Sequence, residues 1–181
     1  MQRANVLRDQ AIAHSRAVVE SGTYSGQVYA GRVDQKSAVI RLITGPKAAE
    51  RMQHELQVFQ ALTPLQGKGV VQLLGAGRYS ETSYFTATKL VEGMQWAWRN
   101  SAHRQLDPEL LQLLAAVHSC GVVHRDFHEG NLLVTPDHRL VLLDFHEALH
   151  PASVAQQEEE MSSWQRWLSR PLAGMYSGER T

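Results

Sequence analysis

The segments HRDFHEGNLLV at 124–134 and LLDFHEA at 142–148 set three oxygen-rich side chains at fixed spacings: Asp126, Asn131 five residues on, and Asp144 eighteen residues on. NLLV and RLVLL read as two short strands around the turn TPDH. Asp126 and Asn131 then lie on the loop that enters one strand, and Asp144 at the end of the next. That hairpin converges two carboxylates and a carboxamide, groups that take up hydroxyl protons and hard divalent cations. Singly, each would be an ordinary turn or cap residue. The combination makes a candidate site.

The elements that must position this trio can be read outward from it. Upstream, Asp107 and Pro108 form a cap and first-turn pair for a helix with Leu110, Leu113, Leu114 and Val117 as its stripe, and Gly121 ends it. Downstream, Ser153 with Gln156 makes a capping box, and Val154, Gln157, Met161, Trp164 and Leu168 mark one face of a terminal helix closed by Pro171 and Gly174. In the first half, residues 4–20 read as a weakly amphipathic helix with Leu7, Ala11, His14 and Val18 on one side. SGTYSGQVYAGR and SAVIRLI follow as strands separated by the turn-like VDQK, which contains Lys36. After Gly45-Pro46 comes the helix KAAERMQHELQVFQAL, with Met52, Leu56, Phe59 and Leu62 at helical spacing. VVQLLGAGR and SYFTATKLV are two more strands, and Glu92-Gly93 breaks the run.

Composition narrows the function classes. With 43% hydrophobic residues in 181, the chain can bury a core in one compact domain or two small lobes. Lys+Arg of 18 balance Asp+Glu of 18, which offers no basic surface for nucleic acid or anionic membrane. The single cysteine, Cys120, forms no internal disulfide and suits a reducing compartment. Apolar runs such as that at 110–117 fall far short of the ~20 residues of a bilayer span. The amino terminus has no signal-peptide pattern. A cytoplasmic location is expected; export by another route would leave no mark to read.

From about Gly22 to Phe145 the order of elements resembles the protein-kinase fold, and the block VHSCGVVHRDFHEGNLLV is its most specific part. The resemblance implies an α+β, two-lobed protein-kinase-like fold: a small antiparallel β-sheet lobe over 21–93 and a truncated, mainly helical lobe over 94–181, preceded by a helical extension over 1–20. It implies ATP and Mg2+ as cofactors. Asp126 would accept or orient the proton of the attacking hydroxyl, and Asn131 and Asp144 would hold the metal. His124 would pack beneath Phe145. His128 stands where serine/threonine kinases carry a lysine, in an HxDxHxxN arrangement closer to small-molecule phosphotransferases, and a protonated imidazole there would stabilise the transferred phosphoryl.

The first lobe departs from the family pattern at two places. Ser21 and Thr23 replace the first two glycines of the glycine loop, leaving Gly26 before Val28. AVIR aligns with VAIK, putting Arg41 in place of the phosphate-binding lysine, with Glu55 of HELQVF placed to pair with it. Met52, Glu55 and Phe59 share a helix face. Lys36, in the turn, and Lys47, at the helix start, are weaker substitutes. TKLVEG matches the adenine-binding connector, making Thr88 the gatekeeper and Lys89 and Val91 the donor and acceptor positions, with Val28, Val39 and Leu133 around the adenine ring. DFH replaces DFG, so His146 disfavours a flipping metal loop.

Only 37 residues follow Asp144 in the 181-residue chain, without an APE-like marker, so neither the usual peptide platform nor an activation-loop phosphate for Arg125 is expected. The proportions resemble RIO-type, KEOPS-type or compact bacterial effector kinases. The resulting expectation is a minimal kinase acting on Ser/Thr hydroxyls of a protein substrate, itself included. A pseudokinase docking module and a small-molecule kinase stand as alternatives. Trp164, Trp167 and Leu168 would cap the shortened lobe or dock a partner protein, and Trp96 and Trp98 are read as packing.

Overall fold

The computed structural model of the chain describes residues 17–25, 28–97 and 100–170, the side chains of 17–25 and of Ser101 excepted. It is mixed α+β and divides into two compact units, Met1–Glu92 and Gly93–Thr181. The first unit is built on β1 (Ala17–Ser25), β2 (Val28–Val33), β3 (Lys36–Thr44), β4 (Leu73–Arg78) and β5 (Ser83–Lys89), which form an antiparallel sheet in the order β1-β2-β3-β5-β4. Residues 17–20, read from sequence as helix, belong to β1, where Val18 and Val19 pair with Arg32 and Gly31. β-Branched residues with a ladder partner outweigh a weak helical stripe. Leu7, Ala11 and His14 lie outside the described residues. The β2–β3 turn needs only Asp34 and Gln35, both at positive φ (47° and 67°), so Lys36 leaves the expected turn and opens β3 opposite Val33.

Strand register decides which side chains share a face. Val28 pairs with Arg41, Val39 with Thr88, and Arg41 with Thr86, so all five project from one side of the sheet. Helix α1 (Ala48–Ala61) packs on that side through Ala48 and Met52 against Ile43 and Ala76. The opposite side carries the second core patch of Val33, Ala38, Ile40, Phe85 and Ala87.

The second unit contains β6 (Met94–Gln95), α2 (Ser101–Arg104), α3 (Asp107–Ser119), β7 (Leu132–Val134), β8 (Leu140–Leu142) and α4 (Val154–Leu168), the strands ordered β6-β7-β8. Leu110, Leu114 and Val117 of α3, Trp164 and Leu168 of α4, and Trp96, Leu132, Leu142 and Phe145 are buried. Asp107 does not cap α3: the N-cap is Leu106, without a side-chain bond, and Asp107 Oδ2 instead accepts from Arg104 Nε at 2.7 Å. The same guanidinium donates to the Leu168 and Arg170 carbonyls at 2.5 and 3.5 Å, satisfying the C-terminal end of α4 with a cation. The capping box of Ser153 and Gln156 is formed. Val154, expected on the inner face, is 68% exposed; α4 turns inward only further along, and Pro171 and Gly174 lie outside the described residues. Among the described residues no helix is long and apolar enough to cross a membrane.

Ser153→Ala removes the acceptor for the Gln156 amide and is expected to cost about 1 kcal/mol in urea unfolding, with Ser153→Asp near wild type.

Candidate functional site

Gly121, at φ 72°, ends α3 and sends the chain through Val122 and Val123, both buried, into the loop that carries the site. Val123 exchanges two backbone hydrogen bonds with Leu149. His124 follows, fully buried, its Nε2 donating to the Leu143 carbonyl at 2.7 Å and its ring set edge-on against Phe145 at 4.7 Å. Since Nε2 must donate to a carbonyl, Nδ1 is the unprotonated nitrogen, and it is buried without a partner. A second proton there would be a charge with no acceptor. Burial accordingly lowers the imidazole pKa from its ordinary 6.5, overriding the Leu143 bond and the nearby carboxylates that favour the charged form. A neutral His124 thus fixes the loop to the residue just before Asp144.

Two non-glycine residues beside this anchor occupy the left-handed region, Arg125 at φ 65° and Asp144 at φ 52°. Backbone strain of this kind persists where the surroundings over-determine it. For Arg125 the surroundings are supplied by α4. Glu160 Oε1 accepts the Arg125 amide at 2.7 Å, and Oε2 accepts the His124 amide at 3.2 Å and His118 Nε2 at 2.7 Å. Burial would raise the Glu160 pKa, but the bonds from His118 and the two amides outweigh it and hold the carboxyl below its ordinary 4.5. Neither His118 nor Glu160 is among the candidates read from the sequence, and Glu160 lies inside the charged run EEE at 158–160. Its signal was position: Glu160, Trp164 and Leu168 fall at four-residue spacing on the buried side of α4.

Asn131 joins the pieces of the trio. Its Nδ2 donates to the Asp126 carbonyl at 2.8 Å and to Asp126 Oδ2 at 3.1 Å, while its own carbonyl accepts the Leu143 amide at 2.8 Å. The side chain therefore holds Asp126, and the backbone holds Leu143, between the end of β8 and Asp144. Asp144 Oδ1 accepts from His146 Nδ1 at 2.6 Å, so the histidine of DFH orients the carboxylate. His128 Nδ1 accepts the Gly130 amide at 2.9 Å, which turns Nε2 toward Asp126 Oδ2, 3.6 Å away. The ring caps a turn of 3-10 helix (Glu129–Asn131) as well as flanking the acid.

The remaining candidates divide by unit. In the first, Arg41 on β3 is ion-paired with Glu55, which is buried between Met52 and Phe59 on α1. Val28, Val39 and Thr88 share Arg41's sheet face; Gly26 lies outside the described residues. Lys89 was given a donor role, but its amide already donates to Gln72 O at 2.8 Å, because the sheet edge takes it up. Val91 lies just beyond β5, and Lys47 just precedes α1. In the second unit, Leu133 sits in β7 between Gln95 and Val141. Trp96 is buried with its indole bonded to His103 O, and Trp164 packs on Phe127 with ring centroids 3.9 Å apart; Trp98 lies outside the described residues.

The residues fit a hard cation. Asn131 spends its nitrogen on Asp126, which leaves the carboxamide oxygen as the end that can meet a metal, and Asp144 offers a carboxylate. Among the described residues no group of three or more His, Cys, Asp or Glu side chains could hold a metal ion.

The chain is similar to serine/threonine-protein kinase cds1 of Schizosaccharomyces pombe, 29% identical over 129 residues, covering 67% of this chain and 27% of that protein. It is also similar to human mitogen-activated protein kinase 13, 35% identical over 89 residues, 48% of this chain and 23% of the kinase. The matched regions span about a quarter of these relatives. No family model matches. This weak, partial similarity supports a place in the protein-kinase-like superfamily, and the mixed α+β architecture is consistent with a kinase-like fold.

The two anchors predict a stepped pH dependence of stability. The unfolded chain takes up a proton at position 124 that the fold refuses, so the His124 contribution is complete above the ordinary 6.5 and declines as pH falls below it. Glu160, depressed from 4.5, adds stability above that value that is lost as pH falls further through its folded pKa. Urea midpoints should decline in two stages on acidification, and His124→Gln, which keeps a donor that does not titrate, should lose much of the first.

Proposed function

We propose that the chain is a minimal, two-lobed kinase that transfers the γ-phosphoryl group of ATP, with Mg2+, to Ser or Thr hydroxyls of a protein substrate, its own included. The observation that carries the reading is the way Asn131 is committed: nitrogen to Asp126, backbone to Leu143, the residue before Asp144. Such wiring would let Asp126 serve as base beside Asn131 and Asp144 as metal ligands in one loop system, and phosphoryl transfer needs such positioning more than covalent chemistry. Asp126 is partly exposed and can orient an incoming hydroxyl. Asn131 and Asp144 would hold Mg2+, which when bound offsets the charge of the phosphates. His128, beside Asp126, would supply a further donor toward the transferred group.

The Arg41–Glu55 ion pair favours an active enzyme over a pseudokinase. The guanidinium is kept by a buried carboxylate in the manner the family keeps its strand lysine, with cationic charge retained. The similarity to two serine/threonine kinases supports the acceptor class.

Labelled phosphate transfer from γ-labelled ATP to a generic Ser/Thr protein is expected for the wild type and is expected to stop when the divalent cation is chelated. Asp126→Asn should lower the rate about 10²–10⁴-fold, the range of a lost general base. Equal labelling by wild type and Asp126→Asn would end the enzyme reading. Arg41→Lys should keep turnover and Arg41→Met should lose it.

A further inference from the structure

Helix α4 holds the chain on both sides of Asp126. Ahead of it, Glu160 accepts the amides of His124 and Arg125 at 3.2 and 2.7 Å. Behind it, the ring of Phe127 meets Trp164, four residues further along the same helix face, with centroids 3.9 Å apart and planes crossed at 79°. Among the described residues the Phe127 ring meets one other, that of His124, crossed at 89° with centroids 5.6 Å apart. Half-buried Phe127 also lines two clefts, of about 570 and 610 Å³, each lined by Trp164 as well. Space therefore lies open beside the ring, and its contacts with Trp164 and His124 are what fix it.

The anchor itself has no such room. Trp164 is buried, Trp167 crosses it with centroids 4.8 Å apart, and Trp167 meets Trp96 at 5.4 Å. Trp96 is fully buried, and its indole donates to His103 O at 3.1 Å. A row of packed rings thus ends on Phe127, and close-packed groups pass a displacement on to their neighbours. It reaches the acid through one planar group. The peptide unit joining Asp126 to Phe127 is rigid, and its carbonyl accepts from Asn131 Nδ2 at 2.8 Å, while Asp126 Oδ2 accepts from the same nitrogen at 3.1 Å. Phe127 Cα and the Asp126 carbonyl share that plane, so a ring free to swing would tilt the carbonyl away from Asn131 and loosen the carboxylate with it.

Resting on the kinase reading above, we propose that Trp164 is a positioning residue: through the Phe127 ring it sets the direction in which Asp126 presents its carboxylate to the acceptor hydroxyl. The indole itself touches no reacting atom in this role. Its effect belongs to turnover and not to nucleotide binding, because it acts on the orientation of the acid alone.

The test uses the full chain carrying Trp164→Leu, Phe127→Ala or both, each first shown to be folded by circular dichroism and urea unfolding. One readout is the NMR signals of the Asn131 side-chain amide; the other is label transfer from ATP to a generic Ser/Thr protein. In each single variant the amide signals are expected to move and to exchange faster with solvent, and kcat to fall about 10–10²-fold with the KM for ATP unchanged. The double variant should fall no further than the lower single, since the same route is cut twice. Lost packing alone would lower the urea midpoint and leave the turnover of the folded protein as it is. Single variants with wild-type amide signals, a wild-type kcat beside an active wild type, or losses that multiply in the double, overturn the proposal. If Trp164→Leu does not fold, Phe127→Ala, at a half-buried position, decides by the same two readouts. If the wild type transfers no label but the amide signals move in the variants, the hold on Asp126 stands and it is the kinase reading that fails.

Discussion

The carboxylate of Glu160 is the constraint on which the second unit turns. It reaches from α4 to two consecutive amides of the site loop and to a histidine at the end of α3, so one side chain ties three elements together. The amides of His124 and Arg125 precede a residue in the left-handed region or belong to it, and neither could be satisfied by a regular ladder there. A buried amide left unpaired costs on the order of 1–3 kcal/mol, so the carboxylate makes an otherwise unfavourable bend tolerable. Leu168 and Trp164, on the same side of α4, bury the apolar surface that keeps the helix in place to do so.

With the bend secured, the chemistry of the loop follows from how donors and acceptors are shared. His124 gives its one proton to Leu143 and stays neutral because nothing surrounds Nδ1 that could accept another. Asn131 gives both contacts of its nitrogen to Asp126 and so presents oxygen outward. His146 holds Asp144 from the side, which fixes the direction of that carboxylate.

Much of this was legible from residue order. The strands around TPDH, the helix at 48–61 with Glu55 on its apolar side, and the capping box at Ser153 all follow local rules that depend on a few neighbouring residues. The pairing of Arg41 with Glu55, fourteen residues apart on adjoining elements, is implied by the family resemblance and not by a local rule. The misreadings share a cause, competition from a partner outside the segment that was read. Residues 17–20 became strand because β2 offered a ladder, Asp107 left its capping role because Arg104 was nearer, and Val154 turned outward because burial in α4 is dictated by what lies beneath Trp164.

What the sequence by itself determined is the inventory and spacing of the site: an acid, an amide and a second acid on a hairpin, since strand period and turn chemistry are local properties. Tertiary structure alone decided how that inventory is held. The neutrality of His124, the three-way role of Glu160 and the aromatic cleft around Trp164 depend on burial and on contacts between residues far apart in the chain. Such contacts leave no local pattern, because solvation and pairing energies are set by whatever the fold brings alongside.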